Sequence, residues 1–198
     1  TYTTKDLWSN IGSGEIWGAE IGVNKFFDSL PAPFDGLGIQ ANYTFVDSEG
    51  IPNFSASGTS TEAEPDEDVT PQPGLEPFDP AALEGLPLRG QSEHTANFVL
   101  MYEKNDWSAR LAYNWRSEYL ITRRDANSFA PIFSEDQGYL DASIWYTIND
   151  NFRIGIEGSN LLDEMTLTRT QFNQEGVTTP KNFSLTDRRY ALSVRATF

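Results

Sequence analysis

The sequence predicts an all-β chain, an antiparallel up-and-down transmembrane β-barrel segment of about seven strands. Three observations carry that prediction. Stretches of strict apolar/polar alternation recur along the chain, the signature of half-buried strands. The connections between them alternate short and long. Aromatic residues gather at the strand ends, with small aliphatic residues between them.

Composition narrows the classes. The formal net charge is −15 and the isoelectric point is near 4.3, which argues against a nucleic-acid partner. There is no cysteine, so no disulfide framework and no thiolate chemistry is available. Mean hydropathy is −0.47 and no apolar run reaches the length of a spanning helix. A membrane barrel escapes that test, because it alternates its apolar residues with polar ones. Thr1 is not a start methionine, and residues 1–14 are not expected to be a secretory leader.

The elements follow in order. Residues 1–14 read as a loop ending in a Gly/Ser turn. The first strand begins at Glu15, with Trp17, Ala19, Ile21 and Val23 on one face and Gly18, Glu20, Gly22 and Asn24 on the other. After Phe27 comes a Pro/Asp/Gly turn. Leu37, Ile39, Ala41, Tyr43 and Phe45 then alternate with Gly38, Gln40, Asn42, Thr44 and Val46. Residues 48–91 break the pattern. They carry Glu49, Glu62, Glu64, Asp66, Glu67, Asp68, Glu76, Asp79 and Glu84, with Pro65, Pro71 and Pro73 among their prolines. So long an irregular stretch marks a functional or solvated loop.

Alternation resumes at His94, with Ala96, Phe98, Leu100 and Tyr102 on the apolar parity. A Lys104–Asp106 turn leads into Trp107, Ala109, Leu111, Tyr113 and Trp115, opposed by Arg110, Ala112, Asn114, Arg116 and Glu118. Residues 120–138 read as a second long loop. Leu140, Ala142, Ile144 and Tyr146 follow, then an Asn149–Asn151 turn, then Phe152, Ile154 and Ile156. Residues 163–184 read as a third long connection. Tyr190, Leu192, Val194, Ala196 and Phe198 close the chain in alternation with Arg189, Ala191, Ser193, Arg195 and Thr197. That last strand has the length that spans a bilayer, about 9–11 tilted residues.

Short turns follow Phe27, Lys104 and Ile148, and long loops follow Asp47, Tyr119 and Leu162. A sandwich has no reason to sort its loops by length, whereas an outer-membrane barrel does. Phe27, Tyr102, Trp107, Tyr146, Phe152 and Phe198 then fall at the short-turn rim. Tyr43, Phe45, Trp115 and Tyr190 fall at the other, giving two aromatic girdles.

No catalytic constellation is present, so no enzyme activity is expected. His94 is the only histidine and reads as a rim residue. Asp66–Asp68 lack the glycine and spacing of a calcium loop. No metal and no cofactor are expected.

Asn160-Leu-Leu-Asp-Glu164, with the strand running to Phe198, resembles the carboxy-terminal end of TonB-dependent outer-membrane receptors. Gly18-Ala-Glu20 and Leu140-Asp-Ala-Ser143 fit the same family. Leu86-Pro-Leu-Arg-Gly-Gln-Ser92 and Tyr113-Asn-Trp-Arg-Ser-Glu118 resemble a proteobacterial branch associated with oligosaccharide uptake. The resemblance implies a 22-stranded barrel with a plugged lumen, of which residues 1–198 are the carboxy-terminal portion, with the plug absent and residues 48–91 as a long acidic extracellular loop. It implies a Gram-negative outer-membrane location. The implied partners are outer-membrane lipid, the TonB complex through an amino-terminal part, a small-molecule ligand, and the barrel-assembly machinery, with Phe198 as its signal.

On that architecture Glu20, Gln40, Asn42, Asn97, Arg110, Asn114, Asp141, Arg153, Glu157 and Arg195 face the lumen, mainly in structural salt bridges and hydrogen bonds. Arg116, Glu118, Tyr119, Arg123 and Arg124, near the outer rim, are the ligand-contact candidates. They combine an aromatic face with planar hydrogen-bonding groups, as sugars require. The expected function is TonB-energised uptake of an oligosaccharide. The alternatives are a ferric-siderophore receptor, a passive porin-like barrel and a soluble β-sandwich binding module.

Overall fold

The computed structural model describes residues 14–49, 86–123, 125, 130–171, 173 and 175–197. Seven strands form one antiparallel sheet: β1 (Glu15–Phe26), β2 (Leu37–Glu49), β3 (His94–Lys104), β4 (Trp107–Arg116), β7 (Gln137–Asn149), β8 (Phe152–Ser159) and β11 (Arg189–Ala196). Each pairs with the next in chain order, an up-and-down meander whose edges are β1 and β11.

The registers keep one parity throughout. Val23 lies opposite Ala41, Ala41 opposite Phe98, and Phe98 opposite Tyr113. Leu111 lies opposite Ala142, Ile144 opposite Ile156, and Ile156 opposite Leu192. One face is therefore apolar from edge to edge, and a slip of one residue anywhere would mix the two faces.

That apolar face is bare. Ile21 is 71% exposed, Ile156 61% and Leu192 71%. In water an exposed apolar surface of this extent is an aggregation hazard. In a bilayer it is the lipid-facing band of a barrel wall. Val99, the buried apolar side chain of this sheet among the described residues, lies on the opposite face, so nothing among the described residues buries the apolar one.

The turns are built locally. Asn105 takes a left-handed φ of 53° in the two-residue β3–β4 hairpin, a conformation that asparagine tolerates. At the β7–β8 turn the Asn149 side-chain carbonyl accepts the backbone N–H groups of Asn151 (2.9 Å) and Phe152 (3.0 Å). The longer β1–β2 turn contains a 3-10 turn at Phe34–Gly36, held to the end of β3 by an ion pair between Lys104 and Asp35.

The structure revises two of the expected loops. Residues 120–138 contain β5 (Tyr119–Thr122) and β6 (Ile132–Ser134). Residues 163–184 contain β9 (Met165–Gln171) and β10 (Thr178–Leu185). These form a second sheet in the order β10-β9-β6-β5. That order repeats β11-β8-β7-β4 of the first sheet, and each short strand adjoins its counterpart in sequence. Among the described residues, no strand of the second sheet pairs with a strand of the first. The second sheet continues four strands of the wall past a break at residues 117–118, 135–136, 160–164 and 186–188. Leu120, Ile132 and Ser134 of this sheet, with Ala130 and Pro131 of the β5–β6 connection, are among the buried side chains of the described residues.

Candidate functional site

The second face of the seven-stranded sheet is polar. The cross-strand registers put Glu20, Gln40, Asn42, Asn97, Arg110, Asn114, Asp141, Arg153, Glu157 and Arg195 on that one face. Asn42, Asn97 and Asn114 form a row across β2, β3 and β4. Toward β11 the face holds a groove of about 810 Å³, lined by Arg110, Asn114, Asp141, Ser143, Glu157 and Arg189 among others. Arg110, Glu157 and Arg189 have no ion pair or side-chain hydrogen bond among the described residues. The groove thus presents two guanidinium groups and two carboxylates with donors and acceptors to spare.

At the outer end of this groove stands the Asn160–Glu164 turn. Its shape depends on two residues at positive φ, Asn160 (51°) and Asp163 (60°). The Asn160 side chain, in a residue only 5% exposed, accepts the Glu164 N–H at 2.9 Å and donates to the carbonyls of Glu164 and Thr186. Asn160 N–H donates to Asp141 Oδ1 at 2.9 Å, and Glu164 Oε1 accepts the Gly138 N–H at 3.2 Å. One short motif therefore ties β7, β8, β9 and the start of β11 together at the break between the sheets.

A second tie lies at the same level. Arg116 Nε donates to Ser92 Oγ at 2.9 Å, and its terminal nitrogen donates to the Gly90 carbonyl at 2.9 Å. The guanidinium also lies 3.8 Å from the centre of the Tyr119 ring. Ser92 Oγ donates to the Ser117 carbonyl at 2.8 Å, and Ser92 pairs with Tyr119 as a β-bridge. Arg123 donates to the carbonyls of Leu86 (2.6 Å) and Pro87 (3.2 Å). Burial pushes the Arg123 guanidinium below its ordinary value. Arg89 donates to the Ile121 carbonyl at 2.9 Å.

Of the rim residues, then, Arg116 and Arg123 spend donors on the Leu86–Gly90 backbone, and Arg116 covers one face of Tyr119. Glu118 is exposed. Arg124 and Phe198 lie outside the described residues, as do residues 50–85 of the acidic stretch.

The aromatic residues collect at both ends of the apolar face. Trp107 and Tyr146 pack at 4.8 Å between ring centres at the short-turn end. Trp17, Phe45, Tyr43 and His94 cluster at the long-loop end, where Tyr43 Oη and His94 Nδ1 share a 2.7 Å hydrogen bond. Those contacts engage His94 Nδ1, and its Nε2 lies 3.6 Å from Glu93 Oε1. Among the described residues no three His, Asp or Glu side chains are gathered in a way that would hold a metal ion.

An open meander with a bare apolar face, a polar opposite face and an elaborated end is a barrel wall. The family model described as TonB dependent receptor-like, beta-barrel, matches residues 1–161. The chain belongs to the TonB-dependent receptor family. Comparison with curated proteins and with solved structures returned no match. Membership of the TonB-dependent receptors carries outer-membrane residence, coupling to TonB and transport in place of catalysis. In these terms the seven-stranded sheet, with its bare apolar face, is part of an outer-membrane barrel wall. The groove and its two ties belong to the polar side of the receptor wall.

Proposed function

We propose that this receptor wall serves the uptake of a neutral oligosaccharide. The observation that carries the proposal is the charge balance of the groove, in which Arg110 and Arg189 are matched by Asp141 and Glu157. A polyhydroxylated ligand needs closely spaced donors and acceptors without net charge. An anionic iron chelate would be served by a cationic excess, which these residues do not supply. In this reading Glu20, Gln40, Asn42, Asn97, Arg110, Asn114, Asp141, Arg153, Glu157 and Arg195 face the lumen.

Ligand first meets the outer rim, where Glu118 and the free edge of Tyr119 make contact. Arg116 and Arg123 shape that rim by holding Leu86–Ser92 in place, and Arg124 remains a ligand-contact candidate of this reading. Residues 48–91 form a long acidic extracellular loop. Residues 1–198 are the carboxy-terminal portion of the receptor barrel, whose plug and TonB contact lie in an amino-terminal part. Phe198 serves in this reading as the signal for the barrel-assembly machinery.

The test is uptake by cells carrying the whole receptor, with and without TonB, of labelled neutral oligosaccharides and of labelled ferric hydroxamate and catecholate chelates. TonB-dependent uptake of an oligosaccharide, reduced at least tenfold in Arg110→Ala/Glu157→Ala, is expected. TonB-dependent uptake of a chelate in place of any sugar would overturn the proposal.

A further inference from the structure

The β9–β10 hairpin of the outer sheet has two unlike faces. Thr166 lies opposite Ser184, Thr168 opposite Asn182 and Thr170 opposite Thr179. The alternate pairs are Met165 with Leu185, Leu167 with Phe183 and Arg169 with Pro180. Lys181 is left over as a bulge between the Pro180 and Asn182 pairings. Without that extra residue Thr179 and Asn182 would fall on opposite faces. With it, one face of the hairpin is a ladder of hydroxyl and amide side chains, and the other is mostly apolar.

The wall beneath fixes which way the ladder faces. Thr166 Oγ1 and Tyr139 Oη share a 3.3 Å hydrogen bond, and Tyr139 has the parity of Asp141 and Ser143, which line the groove. The Thr168–Asn182 rung also extends across the whole outer sheet, because Thr168 lies opposite Ser134 and Ser134 opposite Tyr119. Gln137 of β7 donates to Ser134 Oγ at 2.9 Å. The ladder therefore stands above the groove on the same face and joins it to the rim at Tyr119. From Thr166 to Thr170 it runs about 14 Å, at about 3.4 Å per residue.

These side chains hold bonding capacity in reserve. Thr179, Asn182 and Ser184 are exposed, and their side chains make no hydrogen bond among the described residues. Thr168 and Thr170 donate to the carbonyls of Asn182 and Pro131, both at 3.3 Å, long for a hydroxyl donor, and each hydroxyl keeps acceptor lone pairs. The two charged side chains of β9 and β10 are already matched, Arg169 with Glu135 at 3.2 Å and Lys181 with Asp125 at 2.8 Å. Such a face suits an uncharged partner that both donates and accepts hydrogen bonds. The rim arginines do not compete for this role, since Arg116 and Arg123 spend donors on the Leu86–Gly90 backbone.

We propose that the ladder is an outer subsite for an uncharged glycan chain, binding the sugar units that extend beyond the groove. It rests on the neutral-oligosaccharide reading of the groove and adds a dependence on chain length. A disaccharide held between Arg110 and Glu157 stops short of the ladder, whereas a longer chain reaches Thr168 and Asn182.

The experiment measures affinity against chain length by titration calorimetry on the whole receptor in lipid nanodiscs. The probes are maltose, cellobiose and xylobiose, with the hexasaccharide of each series. Heat-modifiable migration reports barrel folding in every variant. At least one hexasaccharide should bind tighter than its disaccharide, and T168V/N182L/S184A should lower that ratio roughly tenfold, the weight of one or two neutral hydrogen bonds. T168S/N182Q, which keeps donors and acceptors, should retain the ratio. Should the triple variant fail to fold, N182L is read against N182Q. A ratio indifferent to the apolar substitutions, or a hexasaccharide no tighter than its disaccharide, would overturn the subsite alone, provided that disaccharide binding is lost in R110A/E157A. Binding of none of these sugars by the parent would overturn the oligosaccharide reading and the subsite with it.

Discussion

Asp141 Oδ1 accepts the backbone N–H of Asn160 at 2.9 Å. This contact joins two segments that stand apart in the chain, Leu140–Ser143 on β7 and Asn160–Glu164 after β8. The Leu161 N–H adds a 2.8 Å bond to the Leu140 carbonyl beside it. The motif is thus a staple at the level where the membrane wall gives way to the outer sheet. Asp141 serves the groove and the staple at once.

Asp141→Ala should leave the Asn160 N–H without its acceptor and cost about 1–3 kcal/mol. Asn160→Gly should cost a similar amount, since it keeps the positive φ but loses the side-chain bonds to Glu164 and Thr186. Asp141→Asn, which keeps one acceptor, should be milder. Urea unfolding of the receptor in lipid vesicles measures all three. Equal stability of D141A and the parent would show that the staple carries no weight.

The two faces should respond oppositely to charge. Ile39→Arg and Leu111→Arg put a guanidinium on the apolar face and should each cost roughly 2–4 kcal/mol near the bilayer midplane. Asn42→Arg, on the polar face, should cost much less. Insertion efficiency into vesicles reads the difference, and similar losses on both parities would contradict the facing described here.

Arg116 should be required to seat the Leu86–Ser92 segment. Arg116→Ala removes bonds to Ser92 Oγ and the Gly90 carbonyl, each strengthened by the guanidinium charge and worth about 1.5–3 kcal/mol at most. Hydrogen exchange at Gly90, whose amide bonds the Leu120 carbonyl at 2.8 Å, should speed up at least tenfold in the variant. Unchanged exchange would mean that the backbone bonds alone hold the segment.

Asp35 sets a pH dependence at the short-turn end. The hydrogen bond from Lys104 holds its carboxyl below the ordinary value of 3.8, against a smaller opposing effect of burial. A depressed carboxylate pKa contributes stability that is complete above the ordinary value and lost as pH falls through the folded-state value. The Asp35–Lys104 tie should therefore hold across neutral and mildly acidic pH and release only below 3.8. Because the pair is partly exposed, the effect is small and weakened by salt. Carboxyl NMR titration of Asp35 should show a midpoint below 3.8 that moves up toward the ordinary value in Lys104→Ala.

At Gly155 the size of the side chain should decide. Gly155→Ala drives a Cβ into the Trp145 indole, and overpacking of this kind costs about 1–3 kcal/mol. Tryptophan fluorescence should report the displaced ring together with the lost stability. A parent-like spectrum and stability would show that the ring moves aside freely.

The sequence by itself determined the facing of the seven wall strands, because a period of two assigns every side chain to a face without knowledge of its neighbours. That Tyr113 and Leu140, and Ile156 and Leu192, share a face follows from parity once the order of the meander is known, while their direct opposition is set by the register. It also determined the sorting of short and long connections. The tertiary structure decided the rest. Met165–Gln171 shows a threonine-rich alternation that could have marked it as a strand, but β6 has only three residues, too few for any pattern to register. Such strands exist because continuous partners extend from the wall below them. The roles of Arg116, Arg123 and Asp141 were equally hidden. A guanidinium at the rim looks the same in sequence whether it meets a ligand or a carbonyl. Only the path of residues 86–92, brought back against β5 from a distant part of the chain, shows that the carbonyls are there.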